Sequence, residues 1–156
     1  MKKKIIKTTF FTALVALDQL TKLWAKTYLA DRKPLEIIAD FFYLTYTENT
    51  GAAWSILSGY RLVFIIIGIG ALAMMAYWLK TTKTNWGKYS LIMMMAGTLG
   101  NLIDRIYKGR VSDFLDFYPF GYDFPIFNVA DSCLCIGVAI MFLDMIFEDK
   151  PWIKKL

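Results

Sequence analysis

Residues 62–79, LVFIIIGIGALAMMAYWL, form a stretch of eighteen positions without one charged side chain. A helix rises ~1.5 Å per residue, so this stretch is long enough to span a ~30 Å hydrocarbon layer. Backbone polar groups find no water there, and a segment that satisfies them internally must be helical. Three further apolar runs follow the same logic, and the expected spans are 5–29, 62–79, 89–105 and 130–147. Hydrophobic residues make up 57% of the 156-residue chain and mean hydropathy is +0.44, which is too apolar for an ordinary soluble domain. The expectation is one integral membrane domain over 1–156, built mainly of helices.

The net charge of +5 does not point to nucleic acid. The basic residues sit at the ends of the apolar runs, as topology signals do. The opening Met1-Lys2-Lys3-Lys4-Ile5-Ile6-Lys7 looks like the start of a signal peptide, but no small-x-small cleavage site follows. The first span is therefore read as retained. Four lysines near the start, three after the second span (Lys80, Lys83, Lys88) and three in the tail (Lys150, Lys154, Lys155) place both termini in the cytoplasm. The segments after the first and third spans then lie outside.

Segment 30–60 is too long for a plain turn. Pro34 is read as ending the first helix. Residues 41–47, FYLTYT preceded by Phe41, are rich in strand formers and are read as one or two short strands. Gly51 follows and suits a close approach to a ligand. Residues 52–57 suit a short amphipathic helix at the interface, anchored by Trp54, and segment 51–57, hinged between Gly51 and Gly59, is expected to close over a bound substrate.

Histidine is absent, which removes a Ser-His-Asp triad and makes a zinc site improbable. Cys133 and Cys135 are two apart in an expected helix and share no face, so they are read as core residues. Neither cofactor nor metal is expected, although a carboxylate pair could hold a hard cation.

Two carboxylates, Asp113 and Asp131, lie eighteen positions apart around a loop rich in aromatics, Gly and Pro. Each could simply cap a helix. Brought together, they could not both ionise cheaply and would share a proton. The charged partner can then take a proton from water, and the protonated one can polarise an amide carbonyl. Asn49, Asn101, Arg105 and Asn128 fall on the same outer side and could hold substrate backbone groups. Asn101, Asp104 and Arg105 share a helix face at i, i+3 and i+4. Asp18, Lys22 and Lys26 share another, either as an internal ion pair that fixes packing or as part of the site.

The motifs Asp18-Gln19-Leu20-Thr21-Lys22, Glu48-Asn49-Thr50-Gly51-Ala52-Ala53-Trp54-Ser55, Gly100-Asn101-Leu102-Ile103-Asp104-Arg105, Val111-Ser112-Asp113-Phe114-Leu115-Asp116 and Phe127-Asn128-Val129-Ala130-Asp131-Ser132 occur in this order. In them the chain resembles the lipoprotein signal peptidase family, signal peptidase II. Trp54 stands where that family usually has Phe, and Ser112 where a second Val is common. The resemblance implies a bacterial cell-membrane aspartic endopeptidase with four spans, a small extracytoplasmic β-cradle and a short interfacial helix. It implies prolipoprotein substrates already lipidated on a cysteine and cut just before it. It puts the catalytic pair on Asp113 and Asp131, and not on Asp116. It puts substrate contacts on Asn49, Gly51, Asn101, Arg105 and Asn128. Membrane lipid is the other expected partner, nucleic acid is not, and the expected state is a monomer. Three other readings are a Ser/Lys membrane peptidase, a small proton-coupled exporter and a non-catalytic scaffold. The first lacks a large outer domain, and the second needs neither the long outer segments nor the paired aspartates.

Overall fold

The computed structural model describes residues 1–51 and 58–147. The interfacial helix and lid expected over 52–57, and the basic tail beyond 147, lie outside the described residues. Four helices dominate: α1 Lys2–Leu29, α2 Arg61–Thr81, α3 Asn85–Lys108 and α4 Val129–Phe147. Three strands, β1 Leu35–Ile38, β2 Phe42–Asn49 and β3 Val111–Phe117, form an antiparallel sheet in the order β1-β2-β3.

The helices run a few residues beyond the apolar runs, and α3 is capped at both ends. Thr84 opens α3 by accepting the Gly87 N–H on its hydroxyl at 3.0 Å, and Gly109 closes it with φ 77°. α1 ends at Leu29, where the expected first span also ends, five residues before Pro34. Asp31, with φ 60°, turns the chain into the left-handed region there, so Pro34 leads into β1 and does not stop the helix.

Among the described residues, α2 and α4 are the helices long and apolar enough to cross a membrane by length and composition, with mean hydropathies of 2.4 and 2.0. They display large apolar side chains such as Ile66, Ile67, Phe142 and Met145 on their outsides. Water would not tolerate such a contiguous patch, but lipid does. α1 and α3 are less apolar because they carry charges between them. Lys22 is fully buried, 2.9 Å from Asp18 and 3.4 Å from Asp104, and Lys108 lies 3.0 Å from Asp104. Two ammonium groups thus face two carboxylates, and the network is neutral.

Small residues let these helices close up around that network. A Cβ on Gly97 would overlap the Ala130 carbonyl oxygen and stand 2.9 Å from Leu134, and one on Gly100 would run into the Asp18 carboxylate. This close approach of α1, α3 and α4 lets Asp18 Oδ1 accept the Ala130 N–H, at the start of α4, at 2.9 Å.

The sheet sits on this end of the bundle. Phe114 of β3 packs with Ala25 and Leu29 of α1, together with Leu44, Tyr46 and Val129. β2 and β3 pair in register from Phe42 opposite Phe117 to Asn49 opposite Val111, with an irregularity between Leu44 and Thr47. β3 was not anticipated as a strand, since its acidic residues hide an otherwise β-forming sequence.

The buried network generates a stability prediction. Lys22→Met leaves Asp18 and Asp104 without their shared ammonium in a site that water does not reach. A loss of roughly 3–5 kcal/mol is expected, read as a large fall in Tm in detergent. An unchanged Tm would show that the two carboxylates do not need the cation.

Candidate active site

The polar residues of the sequence motifs converge where β3 meets the starts of α4 and of the connection after α3. Asp113 arrives on β3, and its neighbours are set by strand pairing, which puts it opposite Thr47 and near the end of β2. Asp131 arrives in the first turn of α4. Between them stands Asn128, which touches both. Its side-chain Nδ2 donates to Asp113 Oδ1 at 2.6 Å, and its backbone N–H donates to Asp131 Oδ2 at 3.2 Å. Its side-chain oxygen accepts the Asp131 N–H at 3.0 Å.

Asn128 and Asp131 therefore form a reciprocal capping box, with the carboxylate three residues into the helix supporting the cap. The capping role considered for an isolated Asp is real for Asp131, and it coexists with the pairing. The same contact orients the carboxylate and starts the helix.

Each carboxylate has a second amide donor. Asn49 Nδ2 lies 3.2 Å from Asp113 Oδ2, and Asn101 Nδ2 lies 2.7 Å from Asp131 Oδ1. The orientation of Asn101 follows from its other partners. Its Oδ1 accepts from the Lys22 ammonium at 2.9 Å and from Asn128 Nδ2 at 3.3 Å. An ammonium has no acceptor to offer, so the amide oxygen must face it and the amide nitrogen must face Asp131. Lys22 is thus an ion-pair residue and also an indirect neighbour of the site, which joins two possibilities that the sequence left separate.

Gly51 and Arg105 complete the ring. The Gly51 N–H donates to Asn49 Oδ1 at 2.9 Å, and Arg105 Nη2 donates to the Gly51 carbonyl at 3.0 Å. The Arg105 guanidinium also lies 4.8 Å from the centre of the Phe64 ring, a cation–π distance. All seven residues singled out from the sequence (Asn49, Gly51, Asn101, Arg105, Asp113, Asn128 and Asp131) are brought into one hydrogen-bonded group. Asn101 and Asn128 are buried, and in this structure both hold carboxylates.

Asp104 takes a different place from its neighbours on the α3 face. It meets Lys22 and Lys108, and it accepts the Ser112 N–H at 3.2 Å, which pins the start of β3. Gln19, which the sequence reading passed over, bridges Asp18 at 3.0 Å and the Gly100 carbonyl at 3.1 Å. Its place beside Asp18 in the motif was the available signal. Asp116 lies opposite Tyr43 on β3, buried, and its Oδ1 has no hydrogen-bond partner among the described residues. It is three residues from Asp113 along an alternating strand, so its side chain leaves the opposite face.

Burial raises the Asp113 pKa from 3.8 to about 6, and the nearby Asp131 charge adds to the rise. The hydrogen bonds from Asn128 and Asn49, and the Lys22 charge, oppose it. A carboxylic acid of this kind keeps a proton well above the ordinary range and gives it up near neutrality. Among the described residues, no group of three or more His, Cys, Asp or Glu side chains is arranged to hold a metal ion.

The raised value carries a sign for stability. Between the unfolded value of 3.8 and the folded value of about 6, the folded chain binds more protons than the unfolded one. Stability therefore falls as pH rises through that window. Asp113→Asn should be more stable than the wild type at pH 7–8, and the gap should shrink towards pH 4. Tm measured across that range checks it. A gap independent of pH would mean that Asp113 is not held protonated.

The chain is similar to proteins of one family. The family model described as signal peptidase (SPase) II matches residues 10–147. The lipoprotein signal peptidase of Staphylococcus carnosus (strain TM300) is 40% identical over 146 residues, 92% of each chain. That of Symbiobacterium thermophilum is 41% identical, covering 87% of this chain and 91% of the relative. A bacterial membrane enzyme solved by the in meso method at 2.3 Å resolution is 37% identical, with a TM-score of 0.87 over 93% of this chain and 90% of that one. A second, at 1.9 Å, is 39% identical with a TM-score of 0.81 over 90% and 92%. The residues matched by the family model include every member of the hydrogen-bonded group around Asp113 and Asp131, and this membrane protein belongs to the signal peptidase II family.

Proposed function

We propose that the chain is an aspartic endopeptidase of the bacterial cell membrane, with Asp113 and Asp131 as its catalytic pair. As a lipoprotein signal peptidase it removes signal peptides from prolipoproteins, and the cut falls just before the lipidated cysteine. The observation that carries the aspartic mechanism is Asn128. It joins both carboxylates, 2.6 Å from one and 3.2 Å from the other, beside an acid whose pKa lies at about 6.

One carboxylate of the pair holds a proton and the other is charged. The charged one takes a proton from water, and the water oxygen bonds to the scissile carbonyl carbon. The protonated one donates to the carbonyl oxygen as negative charge develops there. Collapse of the tetrahedral intermediate breaks the C–N bond, and the amine leaves with a proton from the pair. Asn49, Asn101 and Asn128 keep the two carboxyl groups oriented through these steps. Arg105 and Gly51 border the site and are placed to take substrate backbone groups. No metal takes part in this scheme.

All four helices cross the membrane. α2 and α4 do so on their own hydropathy, while α1 and α3 carry their charges inside the bundle, where the Lys22 network neutralises them. Lysines at both ends of the connection from α2 to α3 and at the start of α1 support cytoplasmic termini. The pair and the β-cradle then face outward, where translocated substrate emerges. The full chain acts as one peptidase domain, and as a monomer, since one copy supplies the whole hydrogen-bonded group.

Cleavage of a diacylglyceryl-modified prolipoprotein peptide by the purified protein tests this reading. Asp113→Asn and Asp131→Asn should each lower kcat by roughly 10²–10⁴ with the fold intact, because one carboxyl cannot serve as both acid and base. Asp116→Asn, on the other face of β3, should keep clear activity. A fully active Asp131→Asn enzyme would sink the assignment.

The pH profile provides an independent check. A pair that works with one proton loses competence when that proton leaves. kcat/KM, which reports the free enzyme, should therefore fall as pH rises through about 6. A flat profile from pH 5 to 8 would argue against a proton held at Asp113.

A further inference from the structure

Far from the aspartates, lysines from two separate stretches of chain meet at one cavity. Lys4 and Lys7 come from the first turns of α1, and Lys88 comes from the first turn of α3. The cavity has a volume of about 460 Å³, and Phe11, Leu79 and Ile92 supply apolar wall. Among the described residues, no acidic residue lines it. Asp144, the acid of α4 near this end of α3, is engaged elsewhere, accepting the Thr84 hydroxyl at 2.5 Å.

The cavity sits at a membrane boundary. Leu79 lies in the last turn of α2, an apolar span, and Lys80 and Lys83 follow it directly. Lys88 and Asn101 are thirteen residues apart on α3, roughly 20 Å along the axis. This cavity is therefore separate from the site around Asp113 and Asp131. Its lysines are also partly placed. Lys7 Nζ stands 5.8 Å from the centre of the Tyr89 ring, and Lys88 Nζ donates to the Lys83 carbonyl at 3.3 Å.

We propose that this cavity seats one anionic phospholipid. An acyl chain lies against Phe11, Leu79 and Ile92, and the phosphate sits among Lys4, Lys7 and Lys88. A free anion would make no use of the apolar wall. A zwitterionic lipid would bring no net charge to three ammonium groups. A basic pocket between membrane helices at the interface fits a phosphate with one hydrocarbon tail. The bound lipid would bridge the starts of α1 and α3, and so tie together two ends that the Lys22 network, lying further along α1, does not reach.

The test uses the full chain in bicelles with spin-labelled phosphatidylglycerol or spin-labelled phosphatidylcholine as probe. Wild type should retain an immobilised phosphatidylglycerol fraction in preference to phosphatidylcholine. Lys4→Gln/Lys88→Gln should weaken that association roughly tenfold or more. Lys80→Gln/Lys83→Gln removes the same charge at the same end of the bundle but outside the cavity, and should change it far less. Equal association of the two lipids with wild type, or an equal loss in both double variants, would overturn the proposal. Cleavage activity is not part of the readout, so the result stands apart from the peptidase assignment.

Discussion

A fully buried ammonium, Lys22, is the contact on which the rest depends. Moving such a charge out of water costs several kcal/mol even after relaxation, so it persists only with close partners. Asp18 and Asp104 supply the charge, at 2.9 and 3.4 Å, and Asn101 supplies an oxygen at 2.9 Å. Those partners lie on two helices, so α1 and α3 can adopt only one register against each other. Asp18 then reaches the Ala130 N–H and fixes α4 to the same point. Gly97 and Gly100 leave the room this geometry needs. A larger residue at either place would separate the helices and expose the cation.

The ammonium also acts at a distance through the amides. Because Asn101 must turn its oxygen to Lys22, its nitrogen meets Asp131. Because Asn128 bonds Asn101 Oδ1 and Asp113 Oδ1 through one nitrogen, its own oxygen is left for the Asp131 N–H. One donor-only group thus sets the direction of two amides in sequence. Side-chain amides are well suited to this use: they carry no charge to neutralise and offer a donor and an acceptor in fixed relation. Three of them surround the pair, and at Asp113 burial and the Asp131 charge, opposed by the hydrogen bonds of Asn128 and Asn49 and by the Lys22 charge, give a pKa of about 6.

The helices were legible from the apolar runs, and all seven residues of the group were legible from their motifs. What the sequence hid were contacts that rest on register. β3 went unseen because Asp113 and Asp116 interrupt a run of Val, Phe and Leu, and only pairing with β2 shows that the acids leave opposite faces. Lys22 was read as either a packing residue or a site residue, and the structure places it beside both. Spacing along one helix cannot reveal that, because Asn101 lies 79 positions away and comes within hydrogen-bond distance only through tertiary packing.

The two carboxylates belong to different kinds of structure. Asp131 is oriented by the first turn of α4 with one added contact from Asn101 of α3, whereas Asp113 is fixed by a sheet whose other strands come from the segment between α1 and α2. A helix can form as soon as it enters lipid, but a sheet pieced together from distant segments must wait for them all. The pair therefore exists only once the last of these pieces has docked. Until then the chain carries two unrelated acids, each harmless to its neighbours. Assembly is a coincidence requirement: a partly assembled molecule has the two acids apart, and they enter one hydrogen-bonded group only together with the finished fold.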